Sequence, residues 1–279
     1  MFKQMTVSLI KTPIRWPLEA VWQAVEPGLA GFNCEVLPTI DSTNSELMRR
    51  FKAGQLEPTL LVAEQQTAGR GRLGRQWHGQ RSDSLMFSLG LPLAPNSWSG
   101  LSLAIGVSLA ESLDAANTQS QRIALKWPND LWLVSETTER KLGGILVETA
   151  TFEGQRYVVV GVGINVRAVK SADLANEVPA GIAPGHLQDL HSGADVASTL
   201  QLMVLPLVQC LKAFEKSGFA PFQARFAERD VLAGRNIKLS DGTRGQAQGV
   251  TLAGALLVHT SAGMKEIISS EVSVRPCSE

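Results

Sequence analysis

Apolar residues recur along the chain at helical spacing in several segments. Four of them after Pro17 fall at i, i+3, i+4 and i+7, the pattern of one helix face: Leu18, Val21, Trp22 and Val25. Thr43 and Glu46 have the spacing of a capping box and predict the start of a second helix, which Gly54 ends. A long amphipathic helix is predicted from Leu101 to about residue 117, and two further helices over about 195–216 and 221–229.

Short runs of apolar and β-branched residues predict strands between these helices: 34–40, 59–65, 84–91, 123–127, 131–134, 141–148 and 157–165. Residues 168–193 have no periodicity and predict an extended surface loop. From about residue 234 the pattern changes to short strands separated by glycine turns, which is typical of a small β-barrel.

These elements predict an α+β fold in which a mixed sheet has helices on one side. We expect a main domain over residues 1–230, of which 1–33 form an N-terminal extension, and a small β domain over 231–279.

Composition excludes several classes of protein. The chain of 279 residues is 44% hydrophobic, which is too apolar for a disordered protein, and Lys+Arg equals Asp+Glu at 26 each. It therefore has no overall charge that attracts nucleic acid or anionic lipid. The three cysteines have unrelated spacings, and no apolar run is long enough for a signal peptide or a membrane span. We expect a cytoplasmic protein that binds neither membrane nor nucleic acid.

The strongest candidate site is a loop of glycine and arginine. Gly69, Arg70, Gly71, Arg72, Gly74 and Arg75 fall within seven positions, and Trp77 follows. Glycine lets the backbone approach a ligand, and arginine supplies paired donors for a carboxylate or a phosphate. A solvated basic loop, or a weak nucleic-acid patch, explains the composition equally well.

Two further motifs have the chemistry of an anion site. Residues 126–130 read Lys-Trp-Pro-Asn-Asp, in which Lys126 would neutralise phosphate and Asn129 or Asp130 would hold Mg²⁺. Alone, this run is more simply an ordinary turn between strands. Residues 140–145 contain Gly143 and Gly144 at a strand start, which indicates either a close approach to the backbone or a β-bulge.

The remaining near matches to known motifs indicate no further site. Residues 161–166 carry two of the three glycines of a dinucleotide fingerprint, and the chain has no GxxxxGK[ST] phosphate loop. Ser108 is in a near match to a nucleophile elbow that lies within a predicted helix. The four histidines have no metal-ligand spacing, so zinc is not expected.

Taken together, the motifs resemble those of the biotin protein ligases. The run Asp41-Ser42-Thr43-Asn44, the loop at 69–77 and the segments 126–130, 141–146 and 161–165 occur in that family's order and rough spacing. The resemblance covers most of residues 36–166, and the β-rich tail is similar to the family's small SH3-like C-terminal domain. It implies a catalytic domain similar to those of class II synthetases.

The resemblance also implies a two-step reaction. Biotin and Mg·ATP give biotinyl-5′-AMP and pyrophosphate, and a lysine of a biotin carboxyl carrier domain then attacks the adenylate and releases AMP. It implies a biotin site formed by Ser42, Thr43, Asn44, Gln66, Arg70, Gly71, Arg72, Lys141 and Gly144. For ATP it implies Arg72, Arg75, Trp77, Lys126, Asn129, Asp130, Lys141 and Asn165, with Mg²⁺ held through the nucleotide near Asp130. Residues 66–80 are expected to order over the adenylate.

The sequence departs from the family pattern in three places, one of which is Leu73, where the family commonly has another basic residue. The segment before Cys34 is too short for the winged-helix DNA-binding domain of some members, so we expect a ligase that is not a repressor. Residues 168–193 contain no Trp, Phe or Tyr, although the family often places an aromatic there against adenine. The group that contacts adenine is therefore left open.

The sequence leaves two alternative functions open. A lipoate–protein ligase has a related fold and chemistry, but lipoate lacks the ureido ring that the polar residues at 42–44 suit. A non-catalytic sensor of biotin or adenylate would keep the pocket without the transfer reaction. Oligomeric state is open between monomer and homodimer.

Overall fold

A seven-stranded mixed sheet forms the centre of the larger part of the protein. The computed structural model describes residues 13–114, 121–168, 184–268 and 274–276. The strands are β1 (Asn33–Leu37), β2 (Thr59–Ala63), β3 (Ser84–Pro92), β4 (Gln121–Lys126), β5 (Asp130–Ser135), β6 (Glu139–Phe152) and β7 (Gln155–Asn165). Their spatial order is β1-β2-β3-β7-β6-β5-β4, with only β1 and β2 parallel. The predicted mixed sheet is confirmed.

Helices pack on both faces of this sheet. They are α1 (Leu18–Val25), α2 (Thr43–Lys52), α3 (Leu101–Leu113), α4 (Val196–Ser217) and α5 (Gln223–Ala227). On β2, Leu60 and Val62 belong to the main core with α1, α3 and α4, whereas Leu61 packs with Leu47 and Phe51 of α2. Because alternate residues of a strand face opposite sides, α2 lies on the second face. The expectation of helices on one side therefore describes the face with the main core, and α2 is an additional helix on the opposite face.

The start of α2 differs from the predicted capping box. Ser42 is the N-cap, and its hydroxyl accepts a hydrogen bond from the Ser45 amide at 3.4 Å. The Glu46 carboxylate instead pairs with the guanidinium groups of Arg49 and Arg50. The predicted cap at Thr43 is one residue too late, which leaves the Thr43 side chain free to turn towards the sheet.

The helix α3 is buried on nearly every side, not amphipathic as predicted. Among its residues only Ser102, Glu111 and Ser112 are partly exposed. It is covered by the sheet and by α4. The predicted continuation to about residue 117 lies outside the described residues.

The helix α4 is the one described helix that is long and apolar enough to cross a membrane by length and composition. Half of its most apolar window is buried, and it packs against α1 and α3. A core helix of a globular domain passes the same test.

The C-terminal part forms a small antiparallel sheet, as expected of an SH3-like domain. Its strands are β8 (Asn236–Leu239), β9 (Arg244–Val250), β10 (Leu256–Thr260), β11 (Gly263–Ile267) and β12 (Val274–Pro276), in the order β11-β10-β9-β8-β12. Of the cysteines, Cys34 and Cys210 are free thiols and Cys277 lies outside the described residues.

The small domain rests directly on the 126–130 segment. The indole Nε1 of Trp127 donates to the carbonyl of Gly254 at 3.1 Å, and the Ser99 hydroxyl donates to the carbonyl of Ala253 at 2.6 Å. Gly254 has φ +80, and a Cβ placed there would lie 2.6 Å from the Cα of Gly100. The turn before β10 therefore touches the backbone at the start of α3 without an intervening side chain.

We predict that Gly254→Ala destabilises the protein more than Gly249→Ala. Gly249 has a similar φ of +82 but nothing within 4 Å of an added Cβ, so it reports only the cost of a left-handed alanine, about 1–2 kcal/mol. Gly254→Ala adds a clash with backbone, which we expect to cost a further ~1–3 kcal/mol. Urea unfolding of the full chain measures both, and equal losses would contradict the contact.

Candidate active site

A cavity of about 230 Å³ opens on the face of the sheet that carries α2. Its walls are formed by the start of α2, the glycine-arginine loop, the 126–130 segment and the facing residues of β6 and β7. They include every residue predicted for the site except Asn165: Ser42, Thr43, Asn44, Gln66, Arg70, Gly71, Arg72, Arg75, Trp77, Lys126, Asn129, Asp130, Lys141 and Gly144. The structure thus brings together motifs that lie far apart in sequence.

Asn165 has a different position. At the end of β7, its amide nitrogen donates to the carbonyls of Lys141 at 3.4 Å and of Gly185 at 3.3 Å. It therefore connects the strand that carries Lys141 to the segment after residue 184.

Glycines form the floor of the cavity. Gly144 on β6 pairs with Gly163 on β7, and Gly161 lies two residues along the same face. A Cβ on Gly161 would meet Asn44 Oδ1 at 2.2 Å, and one on Gly163 would meet the Trp77 indole at 2.4 Å. Asn44 and Trp77 therefore occupy the space that side chains at these two positions would fill.

A buried hydrogen-bond network lies at the start of α2. The Ser88 hydroxyl of β3 is 2.7 Å from the Thr43 hydroxyl and 2.5 Å from Asn44 Oδ1. The Gln66 carbonyl oxygen accepts from the Thr43 amide at 2.8 Å and lies 3.1 Å from its hydroxyl. Ser88 is fully buried and was not predicted from the sequence. The only feature of the sequence that could have indicated a role for Ser88 was a hydroxyl group within an otherwise apolar strand.

The first arginine of the loop is paired inside the protein. Arg70 forms an ion pair with Glu148 of β6 at 2.9 Å, and it also donates to the Ser45 hydroxyl at 3.3 Å. The same carboxylate accepts from the Asn44 amide at 3.0 Å. Glu148 was missed from the sequence, and it links the loop to the α2 network.

The second arginine connects two motifs. Arg72 donates to Asn129 Oδ1 at 3.3 Å, so the glycine-arginine loop is held against the 126–130 segment. Burial lowers the pKa of Arg72, the nearby Asp130 carboxylate opposes this, and Arg75 adds to it. A half-buried guanidinium with a cationic neighbour favours an incoming anion, because the anion offsets both the desolvation and the repulsion.

The 126–130 segment is fixed to β6 from both sides. Asn129 donates its side-chain amide to the Ile145 carbonyl at 2.9 Å and accepts from the Ile145 amide at its own carbonyl at 3.0 Å. Asp130 forms an ion pair with Lys141 at 2.7 Å. In this way Asp130 and Lys141 lie over Gly144, beside Arg72.

The described residues contain no group of three or more His, Cys, Asp or Glu side chains suited to a metal ion. Among the described residues that form the cavity walls, Asp130 is the one carboxylate, and its partner is Lys141. A metal held by protein side chains alone does not fit this set. A hydrated Mg²⁺ carried by phosphates fits, because it needs only one or two carboxylates.

Comparison with known proteins agrees with the resemblance found in the sequence. The model of the biotin/lipoate A/B protein ligase family matches residues 36–165, and that of the biotin protein ligase C-terminal domain matches residues 233–275. The bifunctional ligase/repressor BirA of Escherichia coli K12 is 35% identical over 254 residues, which are 88% of this chain and 75% of that protein. The biotin–[acetyl-CoA-carboxylase] ligase of Paracoccus denitrificans is 29% identical over 246 residues, 85% of this chain and 98% of its own length.

Among solved structures, the biotin protein ligase of Aquifex aeolicus in complex with biotin and ATP superposes with a TM-score of 0.70 at 31% identity. The match covers 88% of this chain and 99% of that one.

We predict that Gly161→Ala lowers stability, whereas Gly144→Ala does not. At Gly161 the new methyl displaces Asn44 and breaks its bonds to Ser88 and Glu148, which should cost about 1–3 kcal/mol. At Gly144, on the same face, a Cβ meets Asp130 and Lys141 only at ordinary distances of 3.5 and 3.6 Å. Urea unfolding of the two variants checks this, and similar stabilities would mean that Asn44 is not held as described.

Proposed function

The chain belongs to the biotin protein ligases of the biotin/lipoate A/B protein ligase family, and we propose that it activates biotin with ATP and transfers it to a lysine of a carrier domain. Step one joins the biotin carboxylate to the α-phosphate of ATP, giving biotinyl-5′-AMP and pyrophosphate. In step two the lysine amine attacks the acyl carbon, and AMP leaves with the bonding electrons. The observation that carries this proposal is one cavity with neutral hydrogen-bonding groups beside Gly161 and cations beside Gly144.

The cationic side suits the first step. A carboxylate and a phosphate repel each other, and Arg72 and Lys141 both line the cavity and both lie near Asp130. Fixed positive groups there lower the cost of bringing the two anions together and stabilise charge in the transition state. No nucleophile of the protein is needed, since the carboxylate itself attacks phosphorus.

The neutral side suits a ligand with N–H groups. The hydroxyl protons of Thr43 and Ser88 serve three oxygen–oxygen contacts, to Gln66, between the two hydroxyls, and to Asn44. One of these contacts always lacks a proton, because each hydroxyl has only one to donate. The ureido ring of biotin has two N–H donors, whereas the dithiolane ring of lipoate has none. This network supports biotin over lipoate.

Mg²⁺ would enter with the nucleotide. Asp130 and Asn129 provide the oxygens beside the phosphate region, and the ion would add charge neutralisation of the phosphates.

An unpaired edge of β6 supports docking of the acceptor domain there. Pairing of β5 with β6 ends at Gly144, while β7 continues alongside β6 to Phe152. From residue 146 to 152, β6 thus has an edge with no neighbouring strand among the described residues, and it starts at the cavity wall formed by Leu146. An unpaired edge accepts an extended segment of a partner. A carboxyl carrier domain that pairs there would present its lysine close to the cavity.

The ligase reaction is tested by measuring the mass of the acceptor domain. We expect purified protein, biotin, Mg·ATP and an apo carboxyl carrier domain to yield a carrier heavier by one biotin, and no gain without ATP. Lys141→Met should abolish the gain, while Lys265→Met, on the exposed β11, should leave it unchanged. Intact-mass spectrometry is the measurement, with lipoate replacing biotin in a parallel reaction.

Each other outcome has a distinct meaning. A mass gain with lipoate alone would establish a lipoate ligase. Bound biotin with neither adenylate nor a modified carrier would support a non-catalytic sensor. Accumulated adenylate with an unmodified carrier would support the first step and contradict the transfer step.

We predict that Arg72→Gly releases the adenylate faster. Arg72 holds the loop over the cavity through Asn129, so its loss removes a charge-assisted contact and loosens the cover. Loss of one such contact should speed dissociation about tenfold to a hundredfold. Off-rates of biotinyl-5′-AMP from the variant, the parent and a distant control, Arg244→Gly, provide the comparison. Equal off-rates for all three would refute a retaining role.

A further inference from the structure

The Glu148 carboxylate of β6 connects two separate parts of the site. One of its oxygens lies 2.9 Å from the Arg70 guanidinium, and the other accepts from Arg70 at 3.1 Å and from the Asn44 side-chain amide at 3.0 Å. Arg70 belongs to the glycine-arginine loop, and Asn44 belongs to the first turn of α2. Both line the cavity, whereas Glu148 is outside its walls, so Glu148 acts on a ligand only through these two neighbours.

The first connection holds the loop to the sheet. On one side of Arg70, the Trp77 amide donates to the Gly69 carbonyl at 2.9 Å. On the other side, the Gly71 amide donates to the Arg75 carbonyl at 2.8 Å. Because these backbone bonds close the loop around Arg70, a fixed guanidinium fixes the position of the whole hairpin. The ion pair uses two nitrogens and both carboxylate oxygens, a geometry that gives direction as well as attraction.

The second connection fixes the orientation of the Asn44 amide. Its nitrogen has two acceptors on β6, the Glu148 carboxylate and the Leu146 carbonyl at 3.3 Å. The Asn44 oxygen is therefore directed at the Ser88 hydroxyl, 2.5 Å away. An amide oxygen carries no proton, so Ser88 donates its single proton to Asn44. A carboxylate enforces this orientation because it only accepts, whereas a neutral amide in its place is able to turn and donate.

This orientation sets the polarity of the cavity wall. With the Ser88 proton used, the Thr43 proton goes to the nearer of its two oxygen neighbours, Ser88 at 2.7 Å instead of Gln66 at 3.1 Å. The contact that lacks a proton is therefore the one between Thr43 and Gln66, and both of these residues line the cavity. A ligand N–H fits there, since it supplies the missing hydrogen bond. The acceptor character of this wall thus depends on the charge at Glu148.

We propose that Glu148 is a positioning residue for the ligase reaction. Its charge holds the glycine-arginine loop to β6 through Arg70, and it orients Asn44 so that the cavity wall accepts the ureido N–H groups of biotin. This inference rests on the proposed binding of biotin and its adenylate, and it gives Glu148 no contact with either ligand.

Binding of biotin without ATP tests the orientation of Asn44. Glu148→Gln keeps the shape of the side chain but cannot accept from both Arg70 and Asn44. We expect the Kd for biotin to rise about tenfold to a hundredfold, the size of a lost charge-assisted hydrogen bond. Glu139→Gln is the matched control, because Glu139 lies on the same strand and also pairs with an arginine, Arg235. Calorimetry should give the control the same Kd as the parent.

Release of added biotinyl-5′-AMP tests the hold on the loop. Arg70→Met should release it about twofold to fivefold faster, the size of one partly exposed ion pair, with a urea midpoint close to that of the parent. Glu148→Gln should release it at least as fast. The double variant should have an off-rate close to that of Glu148→Gln alone, because the contact is already lost. Two independent structural defects would instead multiply.

The outcomes separate this role from the reaction itself. Multiplied off-rates in the double variant, or an unchanged Kd for biotin in Glu148→Gln, would overturn the proposal. If Glu148→Gln does not fold, an off-rate of Arg70→Met equal to that of the parent overturns it. Both measurements use added ligand and need no turnover. A parent that binds biotin but forms no adenylate would therefore overturn the proposed reaction alone, and the comparison of Glu148→Gln with the parent would still decide the role of Glu148.

Discussion

The site depends on a floor without side chains. Gly144, Gly161 and Gly163 leave the middle of the second sheet face open, and that space is filled from above by Asn44 of α2 and Trp77 of the loop. Any residue with a Cβ at Gly161 or Gly163 would expel one of them. Glycine weakens a strand. Because β7 lies between β3 and β6, neighbouring strands on both sides hold Gly161 and Gly163 in register.

Above this floor, three cations of the site are engaged with partners from the protein itself. Arg70 is held by Glu148, Lys141 by Asp130, and Arg72 by Asn129. These partners keep positive charge in place at modest cost, because a paired charge loses less on burial than an isolated one. An incoming anion therefore exchanges partners instead of ordering loose side chains, and Arg70, with the most complete internal pairing, is the least available for such exchange.

Much of this arrangement could be predicted from the sequence because motifs are local. The loop at 69–77 and the 126–130 segment each have their functional side chains in consecutive residues. The resemblance to a family then predicted that the two segments lie in one site. Ser88 and Glu148 could not be predicted, because their roles depend on strand register. Each is an isolated polar residue in a strand, and pairing of β3, β7 and β6 determines which side of the sheet it faces. The N-cap of α2 was predicted one residue too late because the capping-box rule uses only the spacing of Thr43 and Glu46. In the structure the Glu46 carboxylate pairs with Arg49 and Arg50 instead.

The contact between Gly100 and Gly254 has a consequence for how the two parts of the protein vary. Here main chain meets main chain, and the Trp127 indole also bonds to a main-chain carbonyl. A change in a neighbouring surface side chain therefore leaves this approach of the two backbones intact, provided that the two glycines remain. The turn before β10 therefore helps to position Trp127 through main-chain groups alone, which contact both the indole and the start of α3.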